Sequence, residues 1–318
     1  MPWQVERSPY RVWLSEIMLQ QTQVATVIDY FQRFTARFPD LASLASAELD
    51  EVMALWSGLG YYARARNLHQ AARICAEQFG GKLPDSADEL LKLPGIGQST
   101  ANAIIAQAHD RRAPILDGNV KRVLARHAGI EGWPGRTAIG KALWAESERR
   151  TPPDRARDYT QAIMDLGATV CRPRNPACPA CPLASDCIAY KHGMVDELPG
   201  RKPRRERPER STRLAVVQGD DGRILLERRP PAGIWGGLWS LPEVEKVPEV
   251  DSGTALESIE HHFTHFVLHI HPIHVRITAP GGIADDSDQR WVNPQQALQM
   301  GLPRPVRQIL EALVQAAE

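Results

Sequence analysis

Four of this chain's five cysteines, Cys171, Cys178, Cys181 and Cys187, fall within seventeen residues in the spacing C-x6-C-x2-C-x5-C. Four thiols in one short loop predict a wrap around a metal centre, and the best match is ligation of a 4Fe-4S iron–sulfur cluster. Zinc is the alternative, although structural zinc usually takes two C-x2-C knuckles or Cys/His pairs, and only one such knuckle is present. A pair of disulfides would require an oxidising compartment, to which nothing else in the sequence points. Pro173, Pro176, Pro179 and Pro182 stand among the cysteines and block helix, so the loop at 171–187 is expected to be irregular.

The N-terminus has no basic stretch leading into an apolar core, and no apolar run approaches the length of a membrane span. The expectation is a cytoplasmic protein without membrane contact. At 318 residues the chain is long enough for two domains. Residues 1–190 carry 22 basic against 20 acidic side chains, residues 191–212 carry 7 against 4, and residues 213–318 carry 9 against 14. Bulk charge thus does not announce a nucleic-acid partner, which has to be argued from local sites. Residues 191–212 are rich in Pro and Arg, lack apolar periodicity and read as an exposed linker.

Residues 1–190 read as nearly all helix. Ser8-Pro9 opens one helix, whose apolar face runs through Tyr10, Val12, Trp13, Leu14, Ile17, Met18 and Leu19. Ser86 and Glu89 form a capping box that predicts a short helix over Ala87–Lys92. Leu93-Pro94-Gly95-Ile96-Gly97 follows, with a helix over Gln98–His109. Gly95 and Gly97 let the backbone turn tightly with N–H groups facing outward at a helix N-terminus, a geometry that binds phosphate. About twenty residues on stands Ile115-Leu116-Asp117-Gly118-Asn119-Val120-Lys121-Arg122-Val123.

Two carboxylates invite a chemical reading. Glu16 lies in an apolar helix between Trp13, Ile17 and Leu19, where desolvation would raise its pKa and keep it protonated. Asp117 stands at the apparent start of a helix, where the dipole and free N–H groups favour the ionised form. Cleaving an N-glycosidic bond needs this pairing, an acid for the leaving base and an anion beside the sugar as it becomes an oxocarbenium ion.

The hairpin, the aspartate and the four-cysteine loop, in this order, resemble the endonuclease III superfamily of DNA glycosylases over nearly all of residues 3–190. Leu19-Gln20-Gln21-Thr22-Gln23-Val24, Gly58-Leu59-Gly60-Tyr61-Tyr62 and the Asp117 segment look like the MutY-type adenine DNA glycosylases. This resemblance implies removal of adenine mispaired with 8-oxoguanine or guanine in double-stranded DNA, by a nucleoid-associated enzyme expected to act as a monomer. It implies Glu16 as general acid and Asp117 as the stabilising anion. It also implies that Gln21 and Tyr61 wedge into DNA, that Gln161 contacts the flipped adenine, and that the cluster is structural.

In endonuclease III a lysine nucleophile precedes the Thr-Ala of the hairpin segment; here the position is Ser99, so a monofunctional hydrolase is expected. Lys121, one helical turn after Asp117, is expected to cross-link the opened sugar only incidentally. Arg64, Arg66, Lys121 and Arg122 are candidates for phosphate contacts. The alternatives are a bifunctional pyrimidine glycosylase/lyase like endonuclease III and a non-catalytic iron–sulfur DNA-binding protein. Members of the family usually carry a helix before the Pro-Trp found here at Pro2-Trp3, so a shortened start is expected.

Residues 213–318 change character. Arg213–Val217 and Arg223–Glu227 read as strands around an Asp220-Asp221-Gly222 hairpin turn, His261–Thr278 as further strand, and Pro294–Met300 and Arg304–Gln315 as helix. The expected fold is therefore a mainly α helix-hairpin-helix domain over 1–190 and a smaller α+β domain over 213–318. With Gly233-Ile234-Trp235-Gly236-Gly237-Leu238-Trp239, the second domain resembles the Nudix-like domain of the same family. The glutamate-rich magnesium helix is absent, so pyrophosphate hydrolysis is not expected. Phe263-Thr264-His265 is similar to the family's Phe-Ser-His loop, which implies contact with the base opposite adenine; threonine replaces serine and keeps the hydroxyl. Alternation places His265, His269 and His271 on one strand face, where surface or recognition roles are a better reading than metal.

Overall fold

A computed structural model describes residues 1–203, 206–247, 252–278 and 288–317. The chain divides into two compact units, Met1–Ala45 with Gln70–Arg204 and Ser46–His69 with Arg205–Glu318. Residues 46–69, which the sequence places in the helical part, thus count with the C-terminal sheet.

In chain order the helices up to residue 109 are α1 (Pro2–Val5), α2 (Pro9–Leu19), α3 (Val24–Arg37), α4 (Leu41–Ala45), α5 (Leu49–Trp56), α6 (Ala63–Gln78), α7 (Ala87–Leu90) and α8 (Gln98–His109). They are followed by α9 (Gly118–Ala128), α10 (Thr137–Arg150), α11 (Ala156–Asp165) and α12 (Ile188–Lys191). Helix α2 starts where its signals place it: Ser8 accepts the Arg11 N–H at 3.3 Å, and Pro9 occupies the first turn. Its face of Val12, Trp13, Leu14, Ile17 and Met18 is buried, and it packs on α8. Alanines at 101, 103 and 106 make α8 thin enough to run through the interior. Helix α7 stops two residues short of the expected Lys92, because Lys92 and Leu93 close i→i−3 bonds to Glu89 and Leu90 ahead of Pro94.

The second half of the helical unit gathers around Leu116, Val120, Leu124, Leu143 and Ile163. A π-turn at Leu166–Val170 then delivers the chain to Cys171. The expected linker at 191–212 is in part folded. Leu198 is buried, its carbonyl accepts Arg126 Nε at 2.8 Å, and the Gly200 N–H donates to Gly132 at 3.0 Å. Met194, Val195 and Leu198 are too few to give a periodicity by which to foresee that docking.

In the C-terminal unit the strands are β1 (Glu209–Gly219), β2 (Ile224–Arg228), β3 (Trp239–Ser240), β4 (Thr254–Ala255), β5 (Ile259–His262), β6 (Val267–Ile277) and β7 (Gln289–Val292). They form one sheet in the order β3-β2-β1-β6-β4, with β5 also on β6 and β7 also on β2. The β1–β2 turn falls at the expected Asp-Asp-Gly, with Gly222 left-handed at φ 77°. The central pair, β1 with β6, runs parallel from Glu209↔Val267 to Gly219↔Ile277. The helices α13 (Pro294–Ala297) and α14 (Arg304–Ala317) complete the unit, the first shorter and the second longer than expected. No helix among the described residues is long and apolar enough to cross a membrane.

Candidate active site

Glu16 projects from the middle of α2, flanked by buried Ser15 and Ile17, and is itself half-buried. Its Oε1 accepts a long hydrogen bond, 3.4 Å, from Nε2 of the buried Gln107 on α8. Desolvation, and then the negative charge of Asp117, push its carboxyl up to about 8. That coupling places Asp117 within electrostatic reach, although the two residues lie a hundred positions apart.

Asp117 is the N-cap of α9, and its Oδ1 accepts the Val120 N–H at 2.7 Å. Its pKa departs from the sequence expectation. Burial raises it and outweighs the hydrogen bonds from Val120 and Asn119 and the charges of Arg122 and Lys121, which lower it. A cap that is also desolvated is held less firmly as an anion than an exposed cap would be.

The hairpin lies beside this pair in the same unit. Leu93 and Ile96 are buried anchors, while Gly95, left-handed at φ 79°, and Gly97, the N-cap of α8, are exposed. The first N–H groups of α8 therefore face outward without intrahelical partners. Ser99, in the first turn of α8, accepts the Leu116 N–H at 3.1 Å, which ties the hairpin to the residue before Asp117. Lys121 is half-buried on α9, and Gln161 on α11 donates to Asp165 at 2.8 Å.

Gln21 and Tyr61 share a backbone peculiarity that the sequence does not announce: both are left-handed, with φ of 56° and 49°, and both are exposed. Non-glycine residues in this region carry strain of about 1 kcal/mol or more and concentrate at functional sites. Three of the four candidate phosphate contacts are otherwise engaged. Arg64 donates to the Leu59 and Gly60 carbonyls, Arg66 to Gly236, and Arg122 to Cys171 and Gly167. Five rigid donors suit guanidinium to organising backbone carbonyls, which is the use made of it here.

In the C-terminal unit Phe263, Thr264 and His265 form the tight turn between β5 and β6, closed by the Phe263 N–H to Phe266 at 2.9 Å. The Phe263 ring stacks on Phe266, with centroids 4.4 Å apart, and Thr264 and His265 are exposed at the tip. His265 therefore leaves the strand face on which alternation placed it. His269 instead meets Glu209 at 3.4 Å, and His271 pairs with Ser258 at 2.8 Å.

Cys171, Cys178, Cys181 and Cys187 line one cavity with Val123, Arg126 and Tyr190. Arg126, almost fully buried, donates to Cys171 Sγ at 3.3 Å and to the Arg172 carbonyl at 2.8 Å. Burial, and then the neighbouring Cys171, push the Cys178 thiol up. Among the described residues no three of His, Cys, Asp and Glu converge on a point that would hold a single metal ion. Cys75 lies apart, fully buried in α6.

A family model described as HhH-GPD superfamily base excision DNA repair protein matches residues 14–149, and a NUDIX domain model matches residues 213–312. The chain is 38% identical over 324 residues to an adenine DNA glycosylase of Buchnera aphidicola subsp. Schizaphis graminum, covering 98% of this chain and 93% of that protein. This chain belongs to the adenine DNA glycosylases. The mouse adenine DNA glycosylase is 40% identical over 76% of this chain and 56% of its own length. Among solved structures, a thermostable thymine-DNA glycosylase matches 60% of this chain and 88% of its own, at 28% identity and a TM-score of 0.53. The enzyme is thus a DNA N-glycosylase of base excision repair, and DNA is its partner; the non-catalytic and pyrimidine-specific alternatives fall away.

Sequence reasoning missed two residues of this adenine glycosylase. Gln107 is the one polar side chain in the stretch Ala103–Ala108 of α8, a signal that was legible. Arg126 had none, because its sulfur partner lies 45 residues away.

Proposed function

We propose that this adenine glycosylase hydrolyses the N-glycosidic bond of adenine paired with 8-oxoguanine or guanine, and that it is monofunctional, with Glu16 and Asp117 as its catalytic residues. The observation that carries the proposal is the Glu16 carboxyl at about 8 within electrostatic reach of Asp117, whose anion is supported against its own burial by the Val120 and Asn119 N–H groups and by Arg122 and Lys121.

Glu16 enters protonated and gives its proton to N7 of the extruded adenine, making the base a neutral leaving group. The bond between the sugar C1′ and adenine breaks, its electron pair leaves with the base, and positive charge develops on the sugar. The Asp117 carboxylate stabilises that charge, and water then adds to C1′. The water's proton passes to the Glu16 carboxylate, which restores the starting state and leaves an abasic site. Ser99 offers no amine for a Schiff base, so strand cleavage is not part of the cycle.

Around this centre the outward N–H groups at Gly95 and Gly97 suit a DNA phosphate, and Lys121 suits a second. Gln21 and Tyr61 fill the stack that the base vacates, Gln161 reads the extruded adenine, and Phe263, Thr264 and His265 read its former partner.

The four cysteines suit a 4Fe-4S cluster. They line one cavity, and the Arg126 donor offsets thiolate charge, whereas a single zinc would need thiolates about 3.8 Å apart, as Zn–S bonds of about 2.3 Å require. When bound, the group contributes folding free energy rather than a chemical step. The enzyme acts as a cytoplasmic, nucleoid-associated monomer.

The test is single-turnover processing of a duplex with one A·8-oxoguanine pair, read with and without alkali. Strand breaks only after alkali are expected. Nicks without alkali at the rate of base release would overturn the monofunctional reading.

A further inference from the structure

The turn that presents Tyr61 belongs to the C-terminal unit, not to the helical unit that holds Glu16 and Asp117. Its geometry is unusual from end to end: Gly58, Gly60 and Tyr61 are all left-handed, at φ 95°, 76° and 49°. Locally the turn is held by Trp56 Nε1 donating to the Gly60 carbonyl at 3.2 Å, and by Arg64, whose guanidinium lies 5.3 Å from the Tyr61 ring centroid. A tyrosine persists in this region only where its surroundings over-determine it.

Much of that determination comes from the sheet and its loops. Asp50, in the first turn of α5, accepts Arg228 Nη2 at 2.7 Å and Trp239 Nε1 at 3.3 Å, and Arg228 and Arg290 each stand 4.9 Å from the ring centroid of the buried Trp239. At the turn itself, Ser57 and Tyr62 donate to one carbonyl, that of Leu302, at 3.2 and 3.4 Å. The Tyr62 hydroxyl also accepts the Gly58 N–H at 3.3 Å, so it joins both ends of the turn to the segment before α14. Beyond the turn, Arg66 donates to the Gly236 carbonyl, and at Gly237 a Cβ would stand 3.2 Å from Arg66 Cδ. On the other flank, a Cβ at Gly301 would meet Met53 at 3.0 Å, so that glycine permits close approach to α5.

We infer that Asp50, Tyr62 and Arg66 are positioning residues through which the C-terminal sheet sets the pose of Tyr61, so that insertion of Tyr61 and reading of the base opposite adenine are coupled. This rests on the reading that Tyr61 enters the DNA stack. Two anchors outside the turn, Leu302 and Gly236, thus bracket the strained segment in addition to its own Trp56 and Arg64 contacts. Trp235, next to Gly236, stands with its ring 6.3 Å from that of Phe263, so a shift of the 263–265 turn on meeting the base opposite adenine is passed through Gly236 and Arg66 to the Tyr61 turn.

The test uses full-length enzyme, with Asp50→Asn and Tyr62→Phe each made alone and in a Tyr61→Ala background. The readout is the ratio of single-turnover excision rates on A·8-oxoguanine and A·G duplexes, with the unfolding midpoint followed in parallel. Tyr61→Ala should lower the ratio. Each tether variant should lower it by roughly three- to tenfold in the parent and by less than about twofold once Tyr61 is gone, as expected of residues acting through one another. Equal effects in both backgrounds would show that the tethers act independently of Tyr61. A lowered midpoint with an unchanged ratio would reduce them to structural braces. An unchanged ratio in Tyr61→Ala alone would sink the insertion reading itself, a failure distinct from the other two.

Discussion

Ser99 Oγ accepts the backbone N–H of Leu116 at 3.1 Å and so joins the first turn of α8 to the residue that precedes Asp117. The residue at the position expected of a lyase nucleophile is here a strut. Its hydroxyl fixes the approach to Asp117 and carries no amine.

Ser99→Lys should therefore have two separable effects. Loss of the acceptor leaves the Leu116 N–H unsatisfied, at a cost of about 1–3 kcal/mol of stability. Placed beside Asp117, the new amine should give nicked product without alkali and a borohydride-trappable enzyme–DNA adduct. Absence of the adduct from a folded variant would mean that the position does not face the sugar.

Asp117→Asn separates capping from chemistry. Asparagine caps helices about as well as aspartate and lacks the desolvation penalty of the buried carboxylate, so the unfolding midpoint at neutral pH should not fall. Excision in single-turnover assays should fall by at least on the order of a hundredfold, because no anion then faces the developing cation. A variant that keeps near-parent activity would reduce Asp117 to a cap.

What the sequence made legible was local. The Ser8 cap, the start of α8 after Gly97 and the Asp117 cap each depend on a few neighbouring residues, and each falls where its side-chain chemistry places it. The parallel pairing of β1 with β6 and the association of residues 46–69 with the sheet depend on partners dozens to hundreds of residues away. No period or cap encodes such partners. The rise of Asp117's pKa was missed for the same reason: its hydrogen bonds are local and visible, whereas its burial is tertiary.

The cysteine loop makes its own prediction. Cys178→Ser should leave purified protein with substoichiometric iron and without the broad visible absorbance of a cluster, because one of four thiolates facing the cavity is lost. Cys75→Ala, in the α6 interior and away from that cavity, should keep full iron content and lose only packing energy. Equal iron loss in both variants would argue against the loop as the metal site.

Glu16 gives a prediction in which activity and stability move in opposite directions. Its carboxyl stands at about 8 in the folded chain against an ordinary 4.5, so between these values the native state holds a proton that the unfolded state has released. Stability therefore falls as pH rises from about 4.5 to about 8 and levels off beyond, while below 4.5 the group makes no difference. Glu16→Gln removes the penalty of a buried carboxylate and should raise stability at pH 8.5 by roughly 2–4 kcal/mol, an advantage that disappears by pH 4.5. The same change removes the acid, so excision should be lost at every pH. In the parent enzyme the single-turnover rate should decline as pH passes through about 8 and the proton is lost. Thermal unfolding of parent and variant across this range, set beside the parent's rate profile, checks both halves. A variant no more stable than the parent at high pH would mean that Glu16 is solvated rather than desolvated and is not poised as an acid.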